Sequence, residues 1–196
     1  MNTRILLNGG NVDSGSEKNE QFFTEILNGV DKNDVRVLCI YFARPEERWD
    51  ESYATDESAF KTRAIELGKD VHTVLASYDI DELIEEITKA DVIYINGGYR
   101  GNLRSTLLAI GVDELLRLIE GKTLVGISAG ANMLAKYYYS MANNGIREGI
   151  GIFNIKLLTH SNSEDAAEKA ELLANYKEDL PILKVAEEEY VIAELQ

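Results

Sequence analysis

Short apolar runs alternate with amphipathic segments along the first two thirds of the chain. The runs have the length of buried strands, and the amphipathic segments repeat their apolar positions every three to four residues, as surface helices do. This pattern predicts strands at 5–7, 35–42, 71–75, 91–95, 123–125 and 155–159, and a terminal hairpin of 182–186 and 190–193. It predicts helices at 16–28, 55–67, 79–89, 102–110, 112–120, 131–139 and 163–176.

The alternation of strand and helix is typical of right-handed βαβ units. We therefore predict an α/β fold with three layers, in which a doubly wound, mostly parallel sheet lies between helices, as a single domain over residues 1–196. Ligands of such sheets bind beyond the carboxyl ends of the strands. The loops expected there are Gly9-Gly10, 44–49, 96–100 and the turn at Ser128, so we expect them to be neighbours in space.

Composition and charge narrow the classes of function. The 196 residues are 45% hydrophobic, which suits one domain with a sizeable core. The formal charge of −14 argues against binding to nucleic acid or to anionic membranes. Cys39 is the only cysteine and lies in an apolar run, and no run approaches the roughly 18 residues of a membrane span. We therefore expect a soluble protein of the reducing cytoplasm.

The most informative stretch is the pentad Gly126-Ile127-Ser128-Ala129-Gly130, which follows a predicted buried strand and precedes a predicted helix. A G-x-S-x-G pentad in that context predicts a nucleophile elbow, in which the serine hydroxyl stands above the sheet edge. The alternative is an ordinary Gly-rich turn. Only 68 residues follow Ser128, fewer than ordinary α/β-hydrolases place after the nucleophile, which favours a smaller, flavodoxin-like sheet.

A serine hydroxyl needs a base within hydrogen-bond reach, and imidazole is the usual one. The chain has two histidines. His160 follows a predicted strand and begins a loop, so it is our candidate base. His72 lies at the opposite end of its strand, where we expect a structural role.

An oxyanion hole requires two N–H donors. Ala129 can supply one from the start of the elbow helix, and Gly97 or Gly98 can supply the other after the fourth strand. The acid that orients the imidazole is harder to choose. Glu148 is the only acid between Ser128 and His160 and is our first candidate. Further candidates follow His160 and are Glu164, Asp165, Glu187, Glu188 and Glu189.

Several of these segments resemble one family. The serine segment 126–132 resembles the G-x-S-A-G-A signature of the peptidase E family, which includes aspartyl dipeptidases and, more distantly, cyanophycinases. The similarity extends over nearly the whole chain, through the segments 92–98, 148–152, 158–162 and 182–192.

The resemblance implies a serine peptidase with a Ser-His-acid site on a class I glutamine amidotransferase-like fold. It implies Ser128 as nucleophile, His160 as base, and Gly97, Gly98 and Ala129 as oxyanion donors. Family members of the aspartyl type prefer an N-terminal Asp. Candidates for binding such a substrate are Arg44, Arg100 and Arg104, together with Asn132 of the serine signature.

The sequence therefore predicts a cytoplasmic hydrolase of short peptides that works through an acyl-enzyme. No metal or cofactor is expected, because no His/Cys cluster has ligand spacing. The expected partner is a small peptide, with no nucleic acid or membrane, and a homodimer is left open. Two other hypotheses remain: a binding module that keeps the fold but has lost catalysis, and an amidase or esterase with a non-peptide substrate.

Overall fold

A computed structural model describes residues 2–99 and 102–195. The strands of the described residues are β1 (Thr3–Asn8), β2 (Asp34–Ile40), β3 (Asp70–Leu75), β4 (Val92–Ile95), β5 (Thr123–Ile127), β6 (Ala135–Ser140), β7 (Gly145–Glu148), β8 (Phe153–Thr159), β9 (Ile182–Val185) and β10 (Tyr190–Leu195). The helices are α1 (Glu17–Asn28), α2 (Trp49–Leu67), α3 (Ile80–Lys89), α4 (Leu103–Ile110), α5 (Val112–Ile119), α6 (Ala129–Leu134) and α7 (Ala166–Ala174). Short 3-10 turns occupy Val12–Ser14 and Glu46–Arg48.

The main sheet has six strands in the order β10-β1-β5-β4-β2-β3, and all of them are parallel except β10. The chain runs from β1 through β2 to β3 in one direction and returns through β4 to β5. Because crossovers between parallel strands are right-handed, α1 and α2 cover one face and α3, α4 and α5 cover the other. This arrangement confirms the predicted α/β fold with a mostly parallel sheet between helices.

A second sheet follows the serine turn, in the order β7-β6-β8-β9. It contains one antiparallel pair, β6 with β7, and two parallel pairs. The main sheet and the second sheet are joined where β5 passes through the short helix α6 into β6. The second sheet therefore brings the end of β8 close to the carboxyl ends of the main strands.

The inner strands β1, β5, β4 and β2 have the near-continuous burial expected of strands covered on both faces, whereas the edge strands β3 and β10 are only partly buried. In β2 only Asp34 and Arg36 are accessible, and all four residues of β4 are buried. Within the described part of the chain, no helix is both long enough and apolar enough to cross a bilayer.

Three predicted elements were wrong in their boundaries or partners. The helix after the serine ends at Leu134, and the tyrosine-rich segment beyond it is β6, because aromatic side chains favour strands. Helix α2 begins at Trp49 rather than at residue 55. The two terminal strands do not form a hairpin, since β9 pairs with β8 and β10 pairs with β1.

Candidate active site

Ser128 lies at the tightest point of the turn from β5 into α6. Its backbone, at φ 50° and ψ −109°, is strained for a residue with a side chain. The turn also needs its two glycines, because a Cβ on Gly126 would lie 2.7 Å from the Cα of Ala131, and one on Gly130 would lie 2.2 Å from the carbonyl oxygen of Ile95. This is the geometry of a nucleophile elbow.

The imidazole of His160 contacts the serine hydroxyl. The distance from Ser128 Oγ to His160 Nε2 is 2.8 Å, within the range of a hydrogen bond. His160 follows β8 directly and has a φ of 53°, so the backbone turns sharply as it leaves the strand. Its N–H donates to the carbonyl of Gly9 at 3.2 Å, and the N–H of Ser128 donates to the carbonyl of Asn8 at 2.9 Å. The end of β1 therefore anchors both residues.

The second ring nitrogen of His160 contacts the carboxylate of Glu187, with 2.9 Å between Nδ1 and Oε1. Glu187 lies on the turn between β9 and β10. The backbone of this turn bonds to the Gly9-Gly10 loop, since Gly9 N–H donates to the carbonyl of Glu189 and Glu188 N–H donates to the carbonyl of Gly10. A Cβ on Gly9 would come within 1.9 Å of a carbonyl oxygen in the turn, so glycine is needed for this contact.

Glu148, the first candidate for the acid, lies elsewhere. It ends β7, on the edge of the second sheet, and its exposed carboxylate accepts a hydrogen bond from Lys177 Nζ at 2.5 Å. That hydrogen bond holds the pKa of Glu148 below its usual value. The closeness of Glu148 to His160 in sequence did not predict a contact between them, because the β6–β7 pairing carries Glu148 away from the imidazole. Glu187 replaces it as the candidate acid.

The structure narrows the choice among the predicted oxyanion donors. The N–H of Gly97 donates to the side-chain oxygen of Asn96 at 2.5 Å and is not available to a substrate. Gly98 and Ala129 have N–H groups without a partner among residues 2–99 and 102–195. A Cβ on Gly97 would lie 3.0 Å from Ser128 Cβ, so this loop directly adjoins the nucleophile. Gly98 and Ala129 are the donors that the geometry favours.

A cavity of about 440 Å³ opens beside Ser128 and His160. Its apolar wall is formed by Leu103, Met133, Tyr138 and Met141. Asn132, which is 6% exposed, also lines it.

The polar groups around this cavity have different roles. Asn132 donates from Nδ2 to Thr159 Oγ1 at 3.0 Å, and its buried Oδ1 has no partner in the described part of the chain. Arg104 lines the cavity and donates from Nε to the carbonyl of Glu148. Arg44 does not face a substrate, because its guanidinium holds the loop after β4. The predicted substrate contact Arg100 lies outside the described residues.

The structure therefore brings together Ser128, His160, Gly98, Ala129 and Asn132 as the sequence predicted, and selects Glu187 from the further acids that the sequence offered. The sequence placed the Gly9-Gly10 loop beside Ser128 but assigned no role to it. A glycine pair directly after β1 was its only signal in the sequence. Among residues 2–99 and 102–195, no three His, Cys, Asp or Glu side chains are grouped so that they could hold a metal ion.

Replacing Gly10 by alanine is expected to lower kcat by about 100-fold. The new Cβ would lie 2.4 Å from His160 Cε1, and displacing a catalytic group by about 1 Å costs roughly that factor. The matched control is Gly15→Ala. Gly15 also has a positive φ, 69°, but a Cβ there has no neighbour within 4 Å. Steady-state kinetics of both variants test this, and equal losses of kcat would contradict the proposed contact with His160.

Solved structures of similar fold include two bacterial proteins. A peptidase from an acI-B1 Actinobacterium shares 23% identity with a TM-score of 0.68, over 97% of this chain and 83% of its own. A protein provisionally named Peptidase E from Listeria monocytogenes EGD-e shares 19% identity with a TM-score of 0.64, over 99% of this chain and 95% of its own. No curated protein matches the chain.

The sequence model of one protein family matches nearly the whole chain, over residues 5–194. That match includes the elbow, the strand before His160 and the turn that carries Glu187. It confirms the resemblance seen in the serine signature, and it groups the protein with hydrolases of peptide bonds. The chain belongs to peptidase family S51.

Proposed function

We propose that the protein is a serine peptidase that cleaves short peptides through an acyl-enzyme. The observation that supports this most is the continuous chain of contacts from Ser128 Oγ to His160 Nε2 and from His160 Nδ1 to Glu187, at 2.8 and 2.9 Å. A hydroxyl, an imidazole and a carboxylate in that order form a nucleophile, a general base and an orienting acid.

In acylation, Ser128 Oγ attacks the scissile carbonyl carbon while His160 Nε2 takes the hydroxyl proton. Glu187 accepts a hydrogen bond from Nδ1–H, which fixes the tautomer and stabilises the imidazolium that forms. The developing oxyanion accepts hydrogen bonds from the N–H groups of Gly98 and Ala129. His160 then donates its proton to the leaving amine, and the peptide bond breaks.

In deacylation, a water molecule takes the position that the leaving amine vacated. His160 removes its proton, the hydroxyl attacks the acyl carbon, and Ser128 Oγ leaves with the proton returned by His160. The acid product is released, the free serine is regenerated, and no oxidant or cofactor takes part.

The cavity supports a small substrate. Its volume of about 440 Å³ lies in the lower part of the usual range for small-molecule sites. Asn132 lines the cavity and its Oδ1 has no partner among the described residues, which favours this side chain as a contact for an N–H of the peptide. Arg104 is the described cation of the cavity lining that can pair with a substrate carboxylate, which fits a dipeptide with N-terminal Asp.

The test combines covalent labelling with a substrate panel. A fluorophosphonate probe should add to Ser128, as mapped by mass spectrometry of the digested protein. Dipeptides with N-terminal Asp should release both amino acids, while matched esters and simple amides separate a peptidase from an esterase or amidase. Absence of a Ser128 adduct together with absence of peptide turnover would refute the proposal and favour a binding module.

A further inference from the structure

A carboxylate is buried directly behind the loop that carries Gly98. Asp56, on α2, is 1% exposed. Its Oδ2 accepts hydrogen bonds from the hydroxyl of Tyr41 at 2.7 Å and from Nδ2 of Asn96 at 2.6 Å. The Ser128–His160–Glu187 chain makes no use of this group, and a buried carboxylate without a cation at hydrogen-bond distance is costly.

Asn96 transmits the orientation of Asp56 to the loop. Because a carboxylate only accepts hydrogen bonds, Nδ2 of Asn96 must face Asp56. Oδ1 then faces the other way, where it accepts from Gly97 N–H at 2.5 Å and from Arg44 Nη2 at 3.1 Å. Arg44 Nε also donates to the carbonyl of Gly97 at 3.0 Å. The N–H and the carbonyl of Gly97, which belong to two successive peptide units, are therefore both held from behind.

These contacts on Gly97 determine which backbone N–H points to the oxyanion position. With the Gly97 N–H turned onto Asn96, the next N–H, that of Gly98, is left for the oxyanion. We propose that Asp56 is a positioning residue for the oxyanion hole, acting through Asn96 to fix the peptide units of Gly97 and Gly98. This inference rests on the proposed function, since it assigns Asp56 a role in the same acyl transfer.

Ionisation of Asp56 is opposed by its surroundings. Burial is the largest influence on its pKa, and the charge of Asp13 adds to it, whereas hydrogen bonds from Tyr41 and Asn96 act in the other direction. The net result raises the pKa of Asp56 from 3.8 to about 6. The titratable and charged groups that face this carboxyl or line the adjoining cavity are Asp13, Glu20, Cys39, Tyr41, Arg44, Arg63 and Tyr94.

Because its pKa is raised in the folded protein, Asp56 makes the stability of the fold depend on pH. The folded protein binds this proton more tightly than the unfolded chain does, so the group favours folding below about pH 4 and progressively less as the pH rises through 6. At pH 8 the protein holds an ionised Asp56 at a cost in stability. The geometric basis of the positioning role is the hydrogen bond from Asn96 to this carboxylate.

The decisive variant is Asp56→Asn, which has the same shape and cannot ionise. An amide at this position can donate as well as accept, so it no longer dictates the orientation of Asn96. If the productive orientation falls to about a tenth of the population, kcat falls about 10-fold. KM should stay within about 2-fold, and Tm at pH 8 should rise above that of the wild type. The control is Asp50→Asn, at an exposed residue on the same helix, which should leave kcat, KM and Tm unchanged.

A double-mutant cycle with Asn96→Ala tests whether Asp56 acts through Asn96. If Asp56 acts through Asn96, adding Asp56→Asn to Asn96→Ala should lower kcat no further. Additive losses, an unchanged kcat in Asp56→Asn, or a loss of Tm together with kcat would overturn the proposal.

A measurement that does not depend on catalysis distinguishes a failure of this inference from a failure of the proposed peptidase activity. The backbone amide resonances of Gly97 and Gly98 should move with a midpoint near pH 6 in the wild type, and that component should vanish in Asp56→Asn and remain in Asp50→Asn. This titration tests the coupling between Asp56 and the loop even in a protein that cleaves no peptide. Identical titrations in all three proteins would refute it.

Discussion

Replacing Ser128 by alanine is expected to lower kcat by about 10⁵- to 10⁶-fold, which is the usual loss when a serine nucleophile of a triad is removed. Ser128 Oγ lies 2.8 Å from His160 Nε2, and no acyl-enzyme can form without it. Alanine has the same Cβ as serine and keeps the backbone conformation of the elbow, so the protein should fold with an unchanged Tm. Rates of dipeptide hydrolysis and the yield of fluorophosphonate adduct are the measurements.

The control for this variant is Ser58→Ala, because Ser58 is exposed on α2. It should keep full activity and full labelling. The Ser128→Ala protein should still bind its substrate, since Gly98, Ala129 and Asn132 remain in place. If Ser128→Ala retained more than about a tenth of the wild-type kcat, the hydroxyl would not be the nucleophile.

Replacing Glu187 by glutamine is expected to lower kcat by about 10³- to 10⁴-fold. The carboxylate contacts His160 Nδ1 at 2.9 Å and keeps the proton on that nitrogen, which leaves Nε2 free to accept from Ser128. A glutamine amide can donate to Nδ1 instead and so favours the wrong tautomer. The loss should appear in kcat more than in KM, because the substrate does not contact this side chain.

Glu148→Gln is the matched control for Glu187, with the same chemical change at the acid that the sequence first suggested. Its carboxylate bonds to Lys177 on the surface, so kcat should stay within about 2-fold of the wild type. Surface ion pairs of this kind also contribute little to stability. A large loss in Glu148→Gln with little loss in Glu187→Gln would reverse the two assignments.

The contact between Ser128 and His160 could be predicted from the sequence because each residue has a strong local signal. A G-x-S-x-G pentad between strand and helix determines its own geometry, and His160 directly follows an apolar strand. The parallel sheet then brings these strand ends to one edge. Local pattern and fold class were enough for two of the three residues that we propose as the catalytic chain.

The acid could not be chosen in the same way. Glu187 reaches His160 only because β9 joins the second sheet while β10 crosses to pair with β1, and this pairing is a long-range property of the chain. Three consecutive glutamates at 187–189 offer no local distinction between them. The role of Gly97 was likewise hidden, since its N–H is taken by the side chain of Asn96, and no periodic pattern reports such a bond.

The order of the elements along the chain has a consequence for biosynthesis. Ser128 and His160 are synthesised before the turn at 186–189 and strand β10. Until that turn and β10 emerge, β1 lacks its antiparallel neighbour and the imidazole lacks its carboxylate. We therefore expect the contact between His160 and Glu187 to form only once β10 has docked against β1.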